Sequence, residues 1–222
     1  MPTPGEFHVF FLSLQVAAIG TIIGLPIAMA ISWILAKTEF RGKFLLEIFV
    51  SFPLVLPPVV TGYVLLIMFR ENSPIGYVLN KLGVDLIFTW VAAALTAGLV
   101  SLPLMVRSIE GAFGNVDSRL ENVARSLGIG PWKTFIAVTI PLASRGILAG
   151  ILLAFARGLG EFGATIVVAG NIPGQTQTLP LAIYTSFQIG DDSAAIRYIG
   201  FSIGLALLAL AVHYRLIKRV RV

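Results

Sequence analysis

The sequence contains no cysteine, which excludes disulfides and thiolate metal sites. It has only two histidines, His8 and His213, near opposite ends of the chain. On the topology derived below they fall on opposite sides of a membrane, so no shared metal site is expected. Charge is scarce too. Charged residues make up 12% and hydrophobic residues 57% of 222 positions, with a mean hydropathy of +0.91. That is too little charge to coat a soluble globule, and the composition reads as an integral membrane protein. There is no phosphate-cradling GxxxxGK[ST] loop: Gly42-Lys43 is followed by Phe44, so the chain is not expected to hydrolyse nucleotide. No Ser/His/acid set shares a plausible face, and no catalytic residue or cofactor is assigned. The formal net charge of +5 sits in short clusters beside apolar runs. That pattern is an orientation signal in a bilayer, not a nucleic-acid surface.

Apolar runs occupy about residues 8–36, 44–69, 86–106, 134–169 and 196–214, each long enough for the roughly 20 residues of a crossing helix. The expectation is an all-α, polytopic bundle of about five transmembrane helices forming one domain over residues 1–222. The first run follows MPTPGEFHVF, which has no Lys or Arg, and it exceeds a signal-peptide core; it is expected to remain as a span. Lys37, Arg41 and Lys43, then Arg107, Arg119, Arg125 and Lys133, then Arg215, Lys218, Arg219 and Arg221 fall on one side. The segments 1–7, 70–85 and 170–195 contribute only Arg70 and Lys81 before the last span. This places the N-terminus outside and the C-terminus in the cytoplasm. The fourth run is long enough for two crossings, but two would carry the basic tail outside. One crossing is therefore expected, followed by an external loop, 170–190, with a short helix near 179–188. Small residues one turn apart, at Gly20 and Gly24, Gly146 and Gly150, and Gly200 and Gly204, suit close helix approach. Pro26, Pro53, Pro57, Pro58 and Pro103 each delete a helix hydrogen bond and predict kinks.

One segment is polar and turn-punctuated: ENVARSLGIGPWKTFIAVTIP, residues 121–141. Its polar part lies in a loop at about 107–133. A short amphipathic helix at about 118–127, ended by Gly128 and held off the next span by Pro131, is expected there. Farther on, Arg157 and Glu161 are spaced i and i+4 on one helix face, where opposite charges pair. Such charges cost roughly 2.5–3.5 kcal/mol at the bilayer centre, so they face protein or water. Counted from Leu142, Arg157 lies about 22 Å along its helix, toward the outer surface. Two roles fit, the polar lining of an outer mouth or a pair that fixes helix packing. Thr61, Ser101, Thr165, Thr176 and Thr178 are candidate linings, with bonds to their own backbone as the alternative.

The polar segment resembles the EAA loop of ABC importer permeases, E-A-A-x3-G-x9-I-x-L-P. Asn122-Val123-Ala124, Gly128, Val138, Ile140 and Pro141 take the pattern's places, with the acid displaced to Glu121. Residues 53–60, PLVLPPVV, residues 101–107, SLPLMVR, and residues 159–166, LGEFGATI, followed by GNIPG at 170–174, are similar to molybdate ABC transporter permeases. Sulfate and tungstate permeases are close relatives. The resemblance implies a non-enzymatic subunit of the cytoplasmic (inner) membrane that acts as conduit and gate for molybdate, with tungstate as a second substrate. It implies partnership with a second copy of the chain, two copies of an ABC ATPase subunit and an extracytoplasmic molybdate-binding protein. Glu121, Asn122, Val123, Ala124, Ser126, Leu127, Gly128 and Ile129 become the expected ATPase-coupling residues. Arg157, Glu161, Gly163 and Thr165 become the expected outer mouth of the pathway. A self-contained channel or secondary carrier is the alternative of a different class. It would need ion-binding acids inside the spans, and only Glu47 and Glu161 lie near or within an apolar run.

Overall fold

The computed structural model describes residues 4–219. Arg221, and the side chains of His213, Lys218 and Arg219, lie outside what it describes. All regular structure among the described residues is helical. Three long helices build the centre: α1 (Pro4–Lys37), α5 (Trp90–Gly114) and α8 (Ile140–Leu159). Helix α8 continues a short α7 (Pro131–Thr134) through one π-helical turn, Phe135–Thr139, so that Pro131–Leu159 forms a single span of 29 residues. Helix α5 is the most enclosed of them, wedged between α1 and α8.

The wedge closes because small residues sit at both crossings. A Cβ added to Gly98 of α5 would stand 2.7 Å from the carbonyl oxygen of Gly20 in α1, and one on Gly146 of α8 would overlap the Cβ of Ala112. Hydroxyls tie the same faces: Ser32 donates to the Val106 carbonyl at 2.9 Å and Ser108 to that of Gly146 at 2.9 Å. Bonds from a side chain to a helix carbonyl suit a medium with no water to satisfy it. Around this centre packs a core of Ala28, Leu35, Met105, Val106, Ile109, Phe113 and Ile147.

The run 44–69, expected as one crossing kinked at its prolines, is two helices, α2 (Lys43–Val55) and α3 (Pro58–Phe69), bent by 111°, which together have the length and apolarity of one broken span. The break falls where Pro57 and Pro58 follow an extended Leu56, since neither proline can donate to a continuing helix. Arg107 holds α2 to α5 by donating to Ser51 Oγ at 3.1 Å. Segment 70–85 contains a short α4 (Pro74–Lys81) capped by Ser73, whose Oγ accepts from Gly76 N at 2.8 Å.

Helix α8 ends at Gly160, and a short α9 (Gly163–Val168) follows; α10 (Leu179–Ile189) and α11 (Asp192–Arg219) complete the chain. Segment 170–190, expected as an external loop with a short helix near 179–188, has that helix as α10, and the segment is folded against the bundle. Leu179 N donates to Ser13 Oγ of α1 at 2.7 Å, and Asn171, Gln177 and Thr185 bond one another. Asp191 accepts from Ala194 N, which caps α11 and holds the Asp191 carboxyl below its ordinary range. The first turns of α11 meet those of α1, with Arg197 paired to Glu6 at 2.7 Å and Phe201 against Phe10. The N-terminal ends of α1 and α11 and the C-terminal end of α8 therefore share one end of the bundle. The C-terminal ends of α1 and α5 and the start of α7 share the other. Large apolar side chains such as Phe44, Phe49, Val55 and Leu207 face outward, as lipid contact requires.

The glycine pairs thus differ. Gly20 and Gly146 meet another helix, whereas Gly200 and Gly204 have nothing within 4 Å. Replacing Gly98 by Val should lower thermal stability in detergent by more than about 2 kcal/mol through backbone overlap. Gly200→Ala should stay within about 0.5 kcal/mol of the parent.

Candidate functional site

Two groups of residues flagged in the sequence stand at opposite ends of the span Pro131–Leu159. The first is α6 (Ser118–Ser126), projecting between α5 and α7. Asp117 starts it by accepting from Arg119 N at 2.8 Å, a side-chain N-cap. Gly128 stops it. At φ +82 it takes the left-handed position, Gly128 N donates to Arg125 O at 3.0 Å, and Ile129 N donates to Ala124 O at 3.1 Å. These two bonds make a Schellman cap, which favours glycine at this position. Gly130 and Pro131 then open α7, with Thr134 Oγ donating to Gly130 O at 3.2 Å.

Only Glu121 and Ala124 of α6 are buried. Asn122, Val123, Ser126, Leu127 and Gly128 are exposed, and Ile129 is partly so. Leu120, Val123 and Leu127, at i, i+3 and i+7, form an apolar stripe open to the outside. This is the anchor spacing of a helix that lies in a groove. Trp132, 71% exposed, stands just beyond it.

Glu121 points the other way. Its Oε2 lies 3.1 Å from Lys37 Nζ at the end of α1, and its Oε1 accepts from Thr139 Oγ1 at 2.6 Å. Lys37 also donates to Val116 O at 3.2 Å. In the sequence Lys37 counted only as an orientation charge, and Thr139 was one spacer residue of the EAA pattern. No local pattern pairs Glu121 with a lysine 84 residues away.

The second group surrounds Glu161, which is buried beyond the last turn of α8. Arg157 pairs with it at 2.9 Å, and its Oε1 accepts from Ala164 N at 2.8 Å, capping α9. Gly163 and Ala164 allow α9 to press on α3. A Cβ on Gly163 would come 2.9 Å from Pro58 Cβ, and one on Gly62 would come 2.7 Å from Ala164 O. The candidate hydroxyls divide. Ser101 donates to Gly98 O at 3.1 Å and Thr176 accepts from Ile172 N at 3.0 Å. The buried hydroxyls of Thr61, Thr165 and Thr178 meet no partner within the described chain.

A multi-pass helical bundle with a short amphipathic helix held outside its spans, in a chain without a nucleotide-binding loop, has the form of a transporter's membrane subunit. The chain belongs to the family described as the binding-protein-dependent transport system inner membrane component, whose profile matches residues 19–222. It is a multi-pass inner-membrane permease. It is 44% identical, over 95% of this chain and 93% of the relative, to the molybdenum transport system permease protein ModB of Escherichia coli (strain K12). The ModB of Haemophilus influenzae is 42% identical over 97% of this chain and 95% of the relative. Among solved structures, an inward-facing MetNI methionine ABC transporter superposes with a TM-score of 0.71 at 16% identity, covering 98% of this chain and 95% of that chain. A bacterial ABC transporter involved in alginate import gives 0.75 at 13% identity, covering 100% and 82%. At these identities the two structures establish the fold alone.

Two outcomes check the geometry. Glu161→Ala leaves Arg157 without its partner and Ala164 N without an acceptor, and should cost about 2–4 kcal/mol in thermal unfolding. Glu161→Gln keeps the Ala164 bond and should cost less. Gly128→Val should strain the left-handed cap by about 1–2 kcal/mol and speed hydrogen exchange at the Gly128 and Ile129 amides. Gly128→Asn should leave that exchange near the parent rate.

Proposed function

We propose that this chain is the membrane-spanning permease subunit of an ABC importer for molybdate, with tungstate as a second substrate. It opens and closes a pathway under the action of a separate ATPase. The observation that carries the coupling is the outward stripe Leu120, Val123 and Leu127 on α6, set on a helix whose inner face is tied to α1 and to the turn before α8. A partner groove that takes this stripe gains apolar contact and can move both spans. The chain has no Walker loop of its own, so the energy comes from the partner. The ABC importer class implies an extracytoplasmic binding protein as well. The working assembly is two copies of this chain, two ATPase subunits and one binding protein. The likeness to ModB proteins supports the substrate.

The charge distribution supports the orientation. Lys37, Arg41, Lys43, Arg125, Lys133 and Arg215 gather at the α6 end, which is assigned to the cytoplasm with the C-terminus, and the N-terminus lies outside. The Glu161 end then faces outward. There Arg157, half-buried and paired with Glu161, stands before the turn into α9, which carries Gly163 and Thr165 and packs on α3. These four residues form the outer mouth, and the guanidinium edge left free by Glu161 attracts the oxyanion. Residues 1–222 act as one permease domain.

In vesicles holding the full complex, labelled molybdate uptake should be competed by tungstate and left unchanged by sulfate; competition by sulfate would reassign the substrate. Leu127→Asp should lower co-purification of the ATPase and reduce uptake by about 10-fold or more, and normal uptake would refute docking through α6. Arg157→Gln should slow uptake at low molybdate more than at saturation.

A further inference from the structure

Glu121 is the one acid of the polar segment, yet every contact it makes leads inward. One carboxylate oxygen takes Lys37 of α1, the other takes Thr139 of the π turn, and both charged side chains are largely shielded, at 15% and 9% exposure. Lys37 closes the figure by holding Val116 O in the turn before α6. Three stretches of chain far apart in sequence are thus joined: the end of α1, the α5–α6 turn with the first turn of α6, and the π turn that leads into α8.

Packing beside the joint is incomplete. A cavity of about 310 Å³ lies directly beside the joint, lined by Trp33, Asn122, Arg125, Thr134 and Phe135 as well as the joint residues. Helix α6 has only nine residues and is flanked by turns, so alone it would be marginal and free to hinge. The π turn matters as well. It is a rare geometry, often placed at functional sites, and here Thr139 at its end is the residue that reaches Glu121.

We propose that Glu121, with Lys37 and Thr139, is a positioning joint that makes α6, the end of α1 and the base of α8 move as one body, and that it is not a contact for the ATPase. The inference rests on the reading of α6 as the docking helix. Movement of the handle reaches the spans only if the handle does not swing on its own turns. A shielded ion pair with a hydroxyl bond resists that swing, because separating it strands a charge away from water. Breaking the joint therefore uncouples hydrolysis from transport while the apolar stripe still docks.

The test uses the full complex in proteoliposomes with binding protein, reading three quantities together: ATPase co-purified, ATP hydrolysed, and molybdate imported per ATP. Glu121→Gln and Lys37→Met should each lower the import-to-hydrolysis ratio about 5- to 10-fold with co-purification unchanged. Thr139→Val should lower the ratio less. Exchanging the charges, Lys37→Glu with Glu121→Lys, should recover much of the lost ratio, as a coupled pair requires. If an isolated variant inserts poorly, the exchanged pair and Thr139→Val carry the test. An unchanged ratio in both single variants would overturn the joint. So would loss of co-purification with Glu121→Gln but not with Lys37→Met, which would make Glu121 an ATPase contact. Failure of docking itself reads differently: Leu127→Asp would then leave both co-purification and uptake intact.

Discussion

Close backbone approach at two crossings sets the rest of the molecule. Without side chains at Gly20, Gly98 and Gly146, α1, α5 and α8 come near enough for hydroxyls on one helix to satisfy carbonyls on the next. In a bilayer, dispersion contact and such bonds replace the hydrophobic effect between helices. The central trio fixes both ends of the bundle. At one end the termini of α1 and α5 and the start of α7 converge on α6. At the other, the end of α8 hands over to α9 beneath α3.

The two ends are built on different principles. At the α6 end a polar joint holds an amphipathic helix whose apolar residues face away from the protein. The helix is therefore both anchored and available. At the Glu161 end the chain is interrupted twice, at Leu56–Pro57 and at Gly160–Phe162, giving the short helices α3 and α9. These breaks are tolerable because the freed groups are met inside the protein, as where Glu161 accepts from Ala164 N. The interrupted helices meet through Gly62 and Gly163 at backbone distance, with little side-chain interlocking. The unpartnered hydroxyls of Thr61 and Thr165 lie on these two helices, a costly arrangement in a static core.

Much of this was legible in the sequence, for physical reasons. Long apolar runs force helices when no water is available, so the central helices and α11 could be read from length alone. Helix α6 was legible through Gly128, which ends it, and Pro131, which holds it off the next span; the Asp117 cap emerges from the structure. The i, i+4 spacing of Arg157 and Glu161 gave their pairing directly. Three things were not legible. The prolines of run 44–69 announce a kink, but only the structure gives its size, 111°. The short helix near 179–188 of segment 170–190 was legible and is α10, but the folding of the segment against α1, where Asn171, Gln177 and Thr185 satisfy one another, was not. The inward aim of Glu121 depends on Lys37 and Thr139, brought near only by the packing of α1 and α8 around α5.

The central claim is that α6 is a cytosolic handle grasped by a partner ATPase. The absence of native cysteine allows a direct measurement: a single cysteine placed at Val123, on the outward stripe, probed with a membrane-impermeant maleimide in oriented vesicles. The account predicts labelling from the cytoplasmic side alone, and protection when the ATPase subunit is bound. Labelling from the opposite side, or labelling that the ATPase does not alter, would contradict it.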